Sequence, residues 1–210
     1  MAQVTRQVGE LVSDLVSETN NYLTGLDHRL VNDFLSDWPV SDVNCSLEPN
    51  DLPVLRYMAE IAVKQQSSQK PEQVLVARLA DLTKALVWRQ TYTADDFGAN
   101  FLDGYGWTMI VGPGGLLASD NLLCAVLMLG PEIEYPFHSH QAEEIYVPIA
   151  GLPAFRLEGQ PWRSRPPGEV VHHTPWLAHA LCSGDEPCLI LSLWRNGDLG
   201  QKSRIGLSAS

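Results

Sequence analysis

The chain has 210 residues, enough for one sizeable core or a core with an appended subdomain. Apolar residues make up 45% and charged residues 19%, an ordinary balance for a folded globular protein. A net charge of −11 and a pI near 4.8 argue against a phosphate-backbone partner, and no basic patch offsets them.

No apolar run approaches the roughly 18 residues that a bilayer-spanning helix requires, so no membrane partner is expected. The opening "MAQVTRQVGELVSDLVSE" is amphipathic and carries acids, without the basic start and apolar core of a signal peptide. Four cysteines, Cys45, Cys124, Cys182 and Cys188, form no CxxC pair. Cys124 lies in an apolar run and reads as a buried, inert thiol. Together these features point to a cytoplasmic, reduced protein.

Along the chain the hydrophobic period changes near residue 95. Before it, apolar residues recur at helical spacing: Val4, Val8, Leu11 and Leu15 mark one stripe, and Leu75, Leu79, Leu82 and Leu86 another, with Pro71 suited to the first turn of the second. "HRLVNDFLSDW" and "LPVLRYMAEIAV" read as shorter helices, separated by Pro39, Pro49 and Pro53. After residue 95, "VGPGGL", "LGPEIEYPF", "AGLP" and "SRPPGE" cut the chain into short pieces. Between them, "NLLCAVLML", "EEIYVPI", "EVVHHT" and "PCLILSLW" have strand length and composition. The pattern predicts a mainly β fold, a small barrel or sandwich over 95–210, preceded by an α-helical segment over 1–94 that packs on it. Exposed helical stripes would also suit a homodimer.

Five of the six histidines, His138, His140, His172, His173 and His179, fall within 42 positions, and only His28 lies elsewhere. Residues two apart on a strand face the same side, so His138 and His140 can present two imidazoles to one point, and Glu144 and Tyr146 share a face likewise. Two neutral imidazoles and a carboxylate suit one divalent transition ion such as Fe(II), Mn(II), Ni(II), Co(II) or Zn(II). The later histidines can supply a further ligand. His172 and His173 are adjacent, so at most one looks inward, and both read mainly as structural. Taken singly, a His-x-His pair is more often a surface or core pair, and a Tyr among Ile and Val is ordinarily a packing residue.

"HSHQAEE" followed by glycine resembles the first cupin motif through His138, His140, Glu144 and Gly151, and "GEVVHHTPWLAH" resembles the second through Gly168 and His179. There are departures: seven rather than five residues separate Gly130 from His138, Thr174 and Trp176 occupy the second motif's usual Pro and Gly positions, and Ser183 its closing Asn. The resemblance implies a single cupin barrel with His138, His140, Glu144 and His179 as metal ligands. The run Tyr135, His138, His140, Glu144, Tyr146 and His179 behind helices is similar to the cupin-type dimethylsulfoniopropionate (DMSP) lyases, particularly the DddQ group.

That narrower resemblance implies β-elimination of a small-molecule substrate, DMSP, to dimethyl sulfide and acrylate, with the tyrosine two residues past the glutamate, Tyr146, as base. Tyr135 enters from the resemblance as a second catalytic or orienting tyrosine. It is offset by an odd number from His138, which a regular strand would turn away, although Pro136 can break the register. A sulfonium is attracted to aromatic faces, and Trp194, ahead of Trp176 and Trp107, is the preferred wall. Other readings of the same ligands are an iron dioxygenase, an isomerase of a small acid or sugar, or a degenerate storage cupin. A non-catalytic sensor is disfavoured by Glu10, Asp14, Asp33 and Asp37 on the helices where a DNA-binding domain would need bases.

Overall fold

The computed structural model describes residues 2–44, 48–66 and 70–207, with side chains from residue 8 onward except residue 66. Cys45 and the Val4 side chain fall outside the described parts. Helix α1 (Ala2–Gly25) buries Val12, Leu15, Val16, Thr19, Tyr22 and Leu23, one face at helical spacing. Helices α2 (Arg29–Leu35) and α3 (Met58–Gln66) are short, α3 entered through a 3₁₀ turn that starts at Pro53. His28 precedes α2 and is exposed. Helix α4 (Glu72–Leu82) follows Pro71 directly and buries Leu75, Val76, Leu79 and Leu82. Leu86 belongs to the expected stripe but lies beyond the helix end, buried in the turn toward β1 (Trp88–Arg89).

A fifth helix, α5 (Ala94–Asp103), interrupts the region read as strands. Its apolar period is broken at Gly98 (φ 83°), so no continuous stripe announces it, and a Thr93/Asp96 capping box starts it.

The strands are β2 (Tyr105–Val111), β3 (Leu122–Leu129), β4 (Glu134–Ser139), β5 (Glu143–Ala150), β6 (Ala154–Leu157), β7 (Arg163–Ser164), β8 (Val171–His173), β9 (His179–Cys182), β10 (Cys188–Arg195) and β11 (Arg204–Ile205). They form two antiparallel sheets, ordered β1-β2-β3-β10-β5-β8 and β11-β4-β9-β6-β7. This is the mainly β, double-sheet architecture with N-terminal helices that the sequence pattern predicts.

Alternation explains how the six-stranded sheet serves two cores. Cys124, Val126 and Met128 of β3, Ile145, Val147 and Ile149 of β5, and Leu189, Leu191 and Leu193 of β10 join the helices in one cluster. The intervening residues, among them Leu127, Leu129, Tyr146 and Ile190, point the other way into a second cluster between the sheets. With both faces covered, β3 is buried at every position, which is why it reads as an unbroken apolar run. Gly151 closes β5 with φ 76°; a Cβ there would stand 2.7 Å from the Pro187 carbonyl, so the turn requires glycine.

Candidate metal centre

The polar site sits on the inner face between the sheets. Strand β5 turns Glu144 and Tyr146 inward; its neighbour β10 sets Trp194 opposite Glu144 and Ser192 opposite Tyr146, and β8 sets His173 opposite Glu144 on the other side. From the second sheet, β4 brings His138 opposite His179 of β9. The pairing of β4 with β9 slips between Tyr135 and His138, three steps on β4 matching two on β9. This bulge turns Tyr135 inward despite its odd offset, and Pro136, which cannot donate to the ladder, lies within it.

The histidine tautomers follow from their neighbours. Nδ1 of His138, His140 and His179 lies 2.9, 2.9 and 2.8 Å from the carbonyl oxygens of Pro136, Ala142 and Leu177. A carbonyl only accepts, so each Nδ1 carries the proton and each Nε2 keeps a lone pair. Yet Glu144 Oε2 stands 3.0 Å from His140 Nε2 and 3.1 Å from His179 Nε2. Lone pairs facing an anion repel unless a cation lies among them. Ligands about 2.1 Å from one ion at near-right angles are themselves about 3 Å apart, so these spacings suit a shared transition metal. Ligand atoms of His140, Glu144 and His179 all lie within 4.8 Å of one another, and all three residues are buried. His138 packs beside His179, ring centroids 4.2 Å apart, with a buried Nε2 that has no hydrogen-bond partner among the described residues. The donor set therefore fits a divalent transition ion.

Electrostatics agree with that donor set. Burial alone pushes the Glu144 carboxyl up; positive charge or donated hydrogen bonds from His140, His173 and His179 would pull it well below the usual range, and with Nε2 lone pairs facing it a bound cation would have to supply that stabilisation. Burial lowers His138 far below an ordinary imidazole and His173 to about 4. Ionised carboxylate and neutral imidazoles are the forms that bind metal. The second carboxylate oxygen is anchored: Glu144 Oε1 accepts from Ser192 Oγ at 2.7 Å and from the Trp194 indole N–H at 2.5 Å. The Trp194 ring also stacks on His140 at 3.9 Å. Such contacts orient ligands and fix their basicity.

His172 and His173 divide as adjacency requires. His172 faces outward and pairs with Glu143 at 2.9 Å, while His173 is buried, 3.5 Å from Glu144 and stacked on His179 at 4.0 Å with planes 9° apart. Two nearly parallel stacked rings cannot both aim an in-plane lone pair at one ion, so His173 packs against the ligand set.

A cavity of about 360 Å³ opens onto this centre, within the range typical of small-ligand sites. Tyr135, Glu144, Tyr146, Trp107 and Trp194 line it, while Trp176 lies outside the lining. The sequence reading did not single out Tyr92, Tyr105, Arg89, Ser192 or Lys202, which also line it. Tyr92 and Tyr135 share a 2.7 Å hydrogen bond between hydroxyls, and Tyr135 stacks on His138 at 4.0 Å. Burial raises the Tyr146 phenol, and the Glu144 carboxylate beside it adds to the rise.

A family model described as dimethylsulfoniopropionate lyase matches residues 34–190. The DMSP lyase DddQ of Ruegeria pomeroyi is 43% identical over 112 residues, a match spanning 53% of this chain and 55% of that relative, about half its length. Two solved structures share the architecture. One, from work on the DMSP lyases RdDddP and RnDddQII, superposes with a TM-score of 0.81 at 26% identity, covering 94% of this chain and 98% of that one. The other, DddQ from Ruegeria pomeroyi DSS-3, gives 0.76 at 27% identity, covering 96% and 98%. With three quarters of its residues inside the family model, the chain belongs to the dimethylsulfoniopropionate lyase family.

Proposed function

We propose that the chain is a metal-dependent carbon–sulfur lyase that cleaves DMSP by β-elimination to dimethyl sulfide and acrylate. The observation that carries this is a buried Glu144 carboxylate oxygen 3.0 and 3.1 Å from Nε2 of His140 and His179, whose Nδ1 atoms face backbone carbonyls, at the end of a tyrosine-lined cavity. His138, His140, Glu144 and His179 are the proposed ligands of one Fe, Mn, Zn, Ni or Co ion. When bound, that ion would polarise the substrate carboxylate and favour negative charge developing toward its enolate.

Tyr146 is the proposed base. An unperturbed phenol near pKa 10 is a poor one, and burial beside Glu144 makes ionisation harder still; a divalent cation held at Glu144 would favour the phenolate instead. Its phenolate takes the α-proton, the resulting electron pair forms the C=C bond, and the C–S bond breaks with its electrons leaving on dimethyl sulfide. Tyr135, held by the Tyr92 hydroxyl, orients the substrate. Trp107, Trp194 and Tyr92 line the cavity, and an aromatic wall would attract the sulfonium with no bond to break at departure. Residues 1–94 are read as a helical cover on the 95–210 barrel. The free thiols of Cys124, Cys182 and Cys188 suit a reduced, cytoplasmic setting.

The test is headspace dimethyl sulfide from purified protein given DMSP, with Mn(II), Fe(II), Zn(II) or chelator. Metal-dependent release supports the reading. No release with any metal, from folded protein shown to hold one, removes it.

A further inference from the structure

Four described residues other than glycine have positive φ: Asp27, Glu132, Trp176 and Asn196. Asp and Asn tolerate that region, but for a bulky aromatic it is an outlier with an energetic cost. Trp176 (φ 63°) lies in the turn that serves two candidate ligands: its N–H donates to the His140 carbonyl at 2.8 Å, and the next residue's carbonyl accepts from His179 Nδ1. Glycine would make the same backbone contacts without strain. Burial does not explain the side chain either, since it is 37% exposed.

What the indole ring does meet is Arg204, whose guanidinium lies 4.2 Å from its centroid. Arg204 belongs to β11, paired with β4 at Ser139 and, one residue on, at His138. The segment leading into β11 supplies Leu199, Gly200, Gln201, Lys202 and Ser203 to the cavity wall. That strap is also tied by Lys202 to Asp96 at 2.8 Å, by the Gln141 N–H to Gln201 at 3.2 Å, by Leu199 buried with Met109, Leu123 and Ala125, and by the β11–β4 ladder with the Gly206 N–H on the Phe137 carbonyl at 2.7 Å.

We propose that Trp176 and Arg204 form an aromatic–cation clamp that holds residues 199–205 as the closing wall of the substrate cavity, with Trp176 as a positioning residue. The contact with Arg204 is what Trp176 adds at this turn over the glycine that its backbone would favour. The proposal rests on the cavity being the substrate site, and its test separates the two ideas. Manganese-loaded wild type, Trp176→Gly, Arg204→Ala, the double variant and Trp176→Phe are compared by amide hydrogen exchange over 199–205 and by KM and kcat for dimethyl sulfide release.

Each single change is expected to speed strap exchange and raise KM about two- to fivefold, the worth of a half-exposed cation–π contact, with kcat within about twofold. The double variant should be no worse than either single, and Trp176→Phe should restore most of the loss. Unchanged strap exchange in both singles, or fully additive effects in the double, overturns the clamp. Exchange needs no substrate, so a wild type that releases no dimethyl sulfide removes the lyase reading while the clamp is still decided.

Discussion

The two faces of β5 could hardly differ more. Ile145, Val147 and Ile149 point at the helices and are fully buried in hydrocarbon, while Glu144 and Tyr146 point between the sheets into a site dense with buried polar atoms. Strand β10 repeats the division, with Leu189, Leu191 and Leu193 on one side and Ser192 and Trp194 on the other. A charge and several unpaired imidazole nitrogens cost stability wherever they are buried. The helix-facing side offsets that cost, one residue out of phase. Stability and chemistry thus occupy the same strands, and mutations one position apart should fall into opposite classes.

The largest separation is expected from Tyr146→Phe. Removing a general base should lower the rate of dimethyl sulfide release about 10²–10⁴-fold while metal content and melting temperature stay unchanged. A variant with full activity and metal would remove Tyr146 as base. On the opposite face, Leu191→Ala should cost about 2–5 kcal/mol in urea unfolding, with kcat per folded molecule unaltered. A fall in kcat would show that the two faces are coupled.

Trp194→Phe keeps a ring against His140 but deletes the donor to Glu144. Chelator competition should read a loss of about 10–100-fold in metal affinity or activity. If KM alone rises, Trp194 acts on the substrate instead. Smallest of all is Val74→Ser on the exposed side of α4, expected within about 0.5 kcal/mol of wild type in the same unfolding assay.

Legibility in the sequence tracked regularity. Helices with an unbroken stripe, such as α1 and α4, follow from period, and strands such as β3, β5 and β10 from strand-length apolar runs between Gly/Pro breaks. Their physics is local, because a residue's face depends only on its neighbours. Helix α5 escaped because Gly98 breaks its period. Tyr92 and Tyr105 escaped for a different reason: they reach the cavity from β1's trailing loop and from β2, brought there by strand pairing that no local pattern encodes. Adjacency told that only one of His172 and His173 faces inward. Which one was decided by β8 pairing with β5 so that His173 meets Glu144. Trp194 was read as a wall for a sulfonium; its indole N–H on Glu144 is a three-dimensional fact with no trace in spacing.

The slip in β4 between Tyr135 and His138 has a consequence for engineering. A designer copying this constellation onto another barrel would naturally graft side chains onto a regular strand. Three positions before the first histidine, a tyrosine on such a strand projects to the far side, and its hydroxyl never meets that of Tyr92. The portable unit is therefore a length of irregular backbone together with its residues, and a graft lacking the extra residue would carry the right amino acids in the wrong hemisphere of the barrel.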